Sequence, residues 1–419
     1  SKTCTLSGNI NEGIVIGGNY LTLDGGGNSI IGTIDPTIDS SIFGTDDDHG
    51  ILVKVKTNTK ITNVTVKNFN FGITLSDAPN TIISNSVIEQ IRHEGIDVIS
   101  YSHDVIISNN VIQKIYFGFG VALNSGNALF ENNTVLENKR GVFSGGSDNQ
   151  IIGNTIRLNN EDGLEIASSD TLIENNIISD NAVSINGYGI RAASNINSNI
   201  IITKNEISNN KRGMVFYSLA SQIFQNDIKN NSEYGLKTGN HAMGSDIYQN
   251  NFVNNAIPGS SSSSVTFSPS MTTGGNYWDD YSSSCADLDH NNFCDEPYPF
   301  SGGSINIHDD YVWTIQNGWL TIINTPNDVT LDALDLSGIS HDYSVSATHD
   351  GSSMSVTCDV SSGSTFPIGT TEVVCTANNG IKSTFSVTVN PLPPVISANS
   401  PPAGSNTTVE GNNLDLKIF

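Results

Sequence analysis

Ile82-Ile83-Ser84-Asn85-Ser86-Val87 is answered by Ile106-Ile107-Ser108-Asn109-Asn110-Val111. The phrase then returns at Asn133-Thr134-Val135, Asn154-Thr155-Ile156, Asn175-Asn176-Ile177, Asn205-Glu206-Ile207, Asn226-Asp227-Ile228 and Asn250-Asn251-Phe252. With Val66, Val87, Val111, Val135, Ile156, Ile177, Ile207, Ile228 and Phe252 as anchors, the spacings are 21, 24, 24, 21, 21, 30, 21 and 24. A second phrase lies between anchors, a glycine followed by apolar-x-apolar, as in Gly72-Ile73-Thr74-Leu75, Gly95-Ile96-Asp97-Val98 and Gly163-Leu164-Glu165-Ile166. Repetition at such a period means stacked units. Short β-branched runs alternating with period two and bounded by Asn, Gly and Ser are strands and turns. A coil of about three short strands needs about 21–24 residues, so the expectation is an all-β parallel β-helix with one continuous core. Asn suits the recurring turn, because it tolerates left-handed backbone and its amide can bond to the next amide above it.

The balance of 18 Lys plus Arg against 42 Asp plus Glu gives a net charge of −24, which argues against nucleic acid or an anionic membrane as partner. No run of apolar residues is long enough for a membrane-spanning helix. The opening Ser1-Lys2-Thr3-Cys4 reads as a mature N-terminus after cleavage of a signal peptide. Asn63, Asn132, Asn230 and Asn406 begin glycosylation sequons, which a secreted glycoprotein would use. Asp46-Asp47-Asp48-His49 reads as a solvated loop tip.

Leu21-Thr22-Leu23-Asp24-Gly25, followed by the Asn- and Gly-punctuated coils, resembles the right-handed parallel β-helix proteins related to the periplasmic copper-binding protein of nitrous oxide reductase maturation. These carry the carbohydrate-binding and sugar hydrolase repeat. The resemblance covers about residues 1–320 and implies a right-handed helix. It leaves activity open, since that group holds lyases, hydrolases, epimerases and non-enzymatic surface proteins.

The outward position two after each glycine runs Thr74, Asp97, Ala122, Phe143, Glu165, Arg191, Val215 and Lys237. Asp97 and Glu165 stand three coils apart, roughly 14 Å, too far for a glycosidase pair. Any catalytic reading falls on Glu161, Asp162 and Glu165, assisted by Arg191 or His93. Lys139-Arg140 on the coil before and Arg191 on the coil after favour cross-strand ion pairs instead, as do Lys211-Arg212 before Glu233. Candidates for sugar stacking are Tyr116, Phe117, Phe143, Tyr188 and Tyr217.

Regular coils are expected over residues 1–255, with residues 256–324 as their C-terminal cap. In the cap, Gly274-Gly275-Asn276-Tyr277-Trp278 leads into Asp287-Leu288-Asp289-His290-Asn291-Asn292-Phe293-Cys294-Asp295 and then Pro297-Tyr298, which resembles the closing motif of the same β-helix group. Alternating oxygens on a tight loop suit Ca²⁺, with side chains of Asp287, Asp289, Asn291 and Asp295 and the Phe293 carbonyl as ligands. The other reading is a plain Asx-turn loop, because Asn292 replaces the glycine of the motif. Cys285 and Cys294 flank this loop and are expected to form a disulfide.

Residues 325–390 show short alternating strands at sandwich spacing. The phrase from Cys358 through Gly363-Ser364-Thr365-Phe366-Pro367 to Cys375-Thr376-Ala377 resembles the hyaline repeat, an immunoglobulin-like module of extracellular proteins. That resemblance implies a Cys358–Cys375 disulfide and a role in adhesion or spacing. Cys4 is then the odd thiol, buried under the first coil or bonded to another chain. Paired cysteines favour an extracellular or cell-surface location. Residues 391–404 form a Pro-rich linker, and 405–419 alternate like one strand, either the start of a further domain or a strand donated to a neighbour.

Three functions follow from this reading. The favoured one is a non-catalytic surface protein, structural or adhesive, assembling with its own copies or other surface proteins into a filament or coat. The others are a polysaccharide lyase or glycoside hydrolase, and a glycan-binding module without turnover.

Overall fold

The computed structural model describes residues 2–39, 49–181, 187–192, 198–262, 264–300 and 307–393. The expectations at Asp46-Asp47-Asp48, Asn406 and the C-terminal strand lie outside those residues. Short strands stack into three parallel sheets of 11 strands each. The first sheet runs from Lys2–Thr5 to Asp246–Tyr248, the second from Ser29–Ile31 to Tyr277–Trp278, and the third from Ile14–Ile16 to Gly259–Ser261. Each coil adds one strand to each sheet, so residues one coil apart in sequence become lateral neighbours.

The inward column of the second sheet is Ile30, Val66, Ile88, Ile112, Val135, Ile156, Ile178, Ile207, Ile228, Phe252 and Trp278, in register and buried throughout. Three expected anchors, Val87, Val111 and Ile177, therefore sit one residue early and face outward; Ile177 is 46% exposed. Side chains alternate with period two, so a slip of one residue moves a side chain to the other face. Runs such as Val111-Ile112 and Ile177-Ile178 offer an apolar residue to both faces, and the sequence pattern does not separate them.

The turn asparagines also divide their work. Asn85, Asn109, Asn132 and Asn175 carry positive φ. The residue after each such turn position is the one that is buried, and from Asn110 onward it forms the ladder. The Nδ2 of Asn110 donates to Asn133, and the series continues through Asn154, Asn176, Asn205, Asn226, Asn250 and Asn276 at 2.9–3.1 Å. Each oxygen also accepts the backbone N–H of the preceding asparagine at 2.8–3.0 Å. A second ladder lies five residues further along each coil, from Asn159 through Asn181, Asn210 and Asn231 to Asn255 at 2.8–3.3 Å. The third sheet uses its glycines to bring rungs close: a Cβ on Gly141 would stand 2.1 Å from the Gly163 carbonyl oxygen.

The first ladder ends on a carboxylate. Asp309 Oδ2 accepts the Asn276 backbone N–H at 2.8 Å, its Nδ2 at 3.0 Å and Trp278 Nε1 at 2.9 Å. Burial pushes Asp309 up to about 7 against those bonds. Coils continue past residue 255, through Gly259–Ser261 to Trp278. Trp278 stacks between Phe252 at 4.1 Å and Tyr298 at 4.4 Å, and the Cys285–Cys294 disulfide closes the segment. At the other end, all four residues of Lys2–Thr5 are exposed. Cys4 is exposed and unbonded, so its expected burial under the first coil is wrong: the strand is the outermost rung of its sheet.

Residues 318–393, together with Asp287–Asn292, form a second compact unit. Its described strands make sheets of three, four and two strands around Ala333, Phe366, Val373, Cys375, Phe385, Val387 and Val389. Cys358 and Cys375 are bonded, and they are directly paired residues on neighbouring antiparallel strands of one sheet. In an immunoglobulin domain the disulfide crosses between sheets.

The two asparagine roles separate by mutation. Asn176→Ala, which leaves buried groups unpaired, lowers unfolding free energy by about 1–3 kcal/mol. Asn175→Gly, at the positive-φ site, changes it by less than about 0.5 kcal/mol. Urea unfolding of the two variants checks both.

Candidate functional site

The outward face of the third sheet carries the chemistry. The register sets Thr74, Asp97, Ala122, Phe143, Glu165, Arg191, Val215 and Lys237 in one column, as the glycine spacing predicts. The residues just before the glycines form a second column, in which Phe119 pairs with Arg140 and Arg212 with Tyr234.

The charged part of this face is closed by ion pairs. Lys139 Nζ stands 2.9 Å and Arg140 Nε 3.7 Å from Glu161. Arg191 reaches Asp162 and Glu165, each at 2.5 Å. Lys211 and Arg212 both meet Glu233. Burial raises Asp162 and Glu165 above the usual carboxylate range, and the Arg191 guanidinium opposes the rise in both. Of the expected candidates, Asp162, Glu165 and Arg191 are thus gathered and satisfied by one another, while Glu161 is met by Lys139. Tyr188 lies under the Arg212 guanidinium, 5.2 Å from its ring centre.

His93 is drawn into a different group, three rungs nearer the N-terminus. Glu94 and Asp97 flank the glycine of their coil, both half-buried. Neither forms an ion pair among the described residues. Asp97 accepts from Asn124 Nδ2 at 3.4 Å. Burial and then the neighbouring Asp97 charge push Glu94 up to about 7, with Arg140 pulling the other way. Burial likewise raises Asp97 to about 6. The next coil makes room with a glycine: a Cβ on Gly118 would lie 2.7 Å from Glu94 Oε1 and 2.3 Å from the His93 carbonyl oxygen.

Rings run along the axis beside this pair. His49, Phe71, His93 and Phe117 succeed one another with centroids 5.0, 5.7 and 6.4 Å apart. Phe119 and Phe143 form a second ring pair at 5.1 Å, with the Arg140 guanidinium 4.0 Å over Phe119. His49 Nδ1 lies 2.8 Å from Thr74 Oγ1. Two carboxyls poised near neutrality beside stacked rings can pass a proton to and from a bound polar chain. Sequence reasoning set Asp97 aside for its distance from Glu165 and did not pair it with Glu94 on its own coil. The signal was present in Glu94-Gly95-Ile96-Asp97, two acids astride one glycine.

The 287–295 loop is divided. Asp287, Asp289 and Asn291 group with the second unit, and Phe293 and Asp295 with the first. Asn291 donates its backbone N–H to Asp289 Oδ1 at 3.3 Å and its Nδ2 to Oδ2 at 2.9 Å, an Asx turn. Lys382 Nζ lies 3.9 Å from Asp287. Among the described residues no three acidic, His or Cys side chains converge to hold a metal. Asn63, Asn132 and Asn230 are exposed at positive-φ turn positions, and Asn63 Nδ2 donates to Asp24.

The profile of the right-handed β-helix region matches residues 2–156 and 121–257. The chain belongs to that family. No curated protein matches it. Solved structures with similarity include the Azotobacter vinelandii mannuronan C-5 epimerase AlgE4 A-module, at 16% identity and TM-score 0.42, covering 63% of this chain and 85% of that one. An alginate lyase from Paenibacillus sp. has 15% identity and TM-score 0.41, covering 63% and 91%. A tailspike protein of E. coli bacteriophage HK620 in complex with hexasaccharide has 13% identity and TM-score 0.36, covering 62% and 46%. Likeness at this level says nothing about this chain's chemistry.

The Glu94–Asp97 pair makes stability depend on pH. Both carboxyls hold a proton to higher pH when folded, so the folded chain binds more protons between about pH 4 and about pH 7. Stability therefore falls as pH rises through that window. Glu94→Gln with Asp97→Asn flattens the fall, read as melting temperature against pH. For the loop, a chelator that leaves the melting temperature unchanged assigns it to an Asx turn, and a lowered one assigns it a structural ion.

Proposed function

We propose that this β-helix is an extracytoplasmic glycan-processing protein that holds an extended saccharide along its third sheet, with Glu94 and Asp97 doing acid–base work on it. The observation that carries the reading is this pair of half-buried carboxyls, neither in an ion pair among the described residues, beside a run of stacked rings. On the same face Glu161, Asp162, Glu165 and Glu233 are each met by Lys or Arg. Glu94, with the higher affinity for its proton, is the acid; Asp97, steadied by Asn124, is the base. Rings offer the apolar faces of sugars a surface, and the repeating rungs suit a repeating polymer. The two disulfides support an oxidising location. Among the described residues no helix is long and apolar enough to cross a membrane.

The test is release of new chain ends from a panel of polysaccharides. Glu94→Gln and Asp97→Asn each reduce it by about 10²–10⁴-fold, the usual worth of a general acid or base. Asp162→Asn leaves it within severalfold, since its carboxyl serves Arg191.

A second reading keeps the chain as a non-catalytic surface protein, structural or adhesive, that assembles with its own copies. It is supported by the ion pairs that close the rest of the face and by the hyaline-repeat resemblance of the second unit. A wild-type chain inert on the whole panel, yet forming filaments under the electron microscope, would select it.

A further inference from the structure

We propose that the saccharide taken by the third-sheet face is uncharged, and that the reaction at Glu94 and Asp97 is hydrolysis of its glycosidic bond rather than elimination. This rests on the reading of the same site given above.

The argument is the placement of charge along the face. A polyuronate brings one carboxylate with each acid sugar and needs a cation free to meet it. Most cations near the pair are already committed. Lys139 is 2.9 Å from Glu161, while Arg140 lies over Phe119 with its Nε 3.7 Å from the same carboxylate, too long for a hydrogen bond. Arg191 is held by Asp162 and Glu165. Arg92 is buried and donates to Asn70 and to the Asp35 carbonyl. Lys54, on the N-terminal side, is itself engaged. Lys237 is exposed, but it stands six rungs from Asp97 in the same column, roughly 28 Å at the inter-strand spacing. That is several Debye lengths at physiological salt. Above about pH 7, where both carboxyls are ionised, what meets a chain at the pair is two acids of its own sign, on a protein of net charge −24. The rest of the local surface is rings and the exposed Asn124, which suit the hydroxyls and apolar faces of neutral sugars.

The reaction class follows from the substrate. Elimination removes a proton from the carbon next to a uronate carboxyl, and a neutral sugar has no such acidic carbon. Hydrolysis needs two carboxyls and water only. Glu94 gives its proton to the glycosidic oxygen as the bond from the anomeric carbon to that oxygen breaks. Water adds to the anomeric carbon, and its proton passes to Asp97. The products are a free reducing end and an alcohol. Asp97 then loses the proton to solvent while Glu94 regains one.

The test compares neutral glucan, galactan and fructan oligomers with oligouronates. Binding is measured by calorimetry at about pH 8, above the window in which Glu94 and Asp97 titrate, and turnover is followed at about pH 6 by mass spectrometry. Expected are binding and hydrolysis of a neutral oligomer, with products heavier by water. Oligouronates bind at least about tenfold more weakly. Asp97→Asn narrows that gap severalfold by removing a like charge, an effect that loss of folding would not produce. Oligouronates bound as tightly as neutral chains, or unsaturated products, overturn the inference while the glycan site stands. If neither class binds, both fall.

Discussion

Hydrogen bonds between asparagines on successive coils hold this solenoid in register. Each turn leaves backbone groups facing the interior, where an unpaired donor or acceptor costs about 1–3 kcal/mol. An asparagine side chain answers one above and one below: its oxygen takes the backbone N–H of the preceding coil, and its amide reaches a carbonyl there and the next oxygen onward. Asn176 does all of this, to Ile151, Glu174, Asn154 and Asn205. The series is directional, so its end needs a group that accepts without donating. Asp309 is that group, buried under Trp278 at the point where the cap begins.

Fixed stacking makes the chemistry of the face a matter of which columns meet. Arg191 lies one rung above Glu165 and within reach of Asp162, so both carboxylates are spent on one guanidinium. The coils around Glu94 and Asp97 bring up Thr74, Phe119, Ala122 and Asn124 instead of a base. Desolvation then raises both carboxyls toward neutrality. Gly118 lets Glu94 lie against the next coil where any larger residue would strike it. The contrast between these two acid groups, three rungs apart, is the basis of the functional reading.

In the cap and in the second unit the structure shows partners that the sequence motifs leave open. The Asp-rich loop closes on itself through Asn291 and Asp289, an arrangement that asparagine favours with or without an ion. The Cys358–Cys375 bond ties neighbouring strands where an immunoglobulin hallmark would tie two sheets. In both, residue types and spacing fit the motif, while the partner each side chain finds was set by the surrounding strands.

Sequence alone determined the solenoid. A recurring Asn–apolar phrase and a recurring glycine phrase, about 21–24 residues apart, leave no other way to bury β-branched residues in short strands. It also determined the outward column from Thr74 to Lys237 and the Cys285–Cys294 pair, because glycine and cysteine mark their positions without ambiguity. Only the tertiary structure decided the faces at Val87, Val111 and Ile177, where apolar residues sit side by side and a shift of one residue reverses inside and outside. It alone split turn from ladder among adjacent asparagines. It alone decided which acids keep their charge, because that depends on whether the rung above or below supplies a base, and burial and pairing are properties of the stacked rungs.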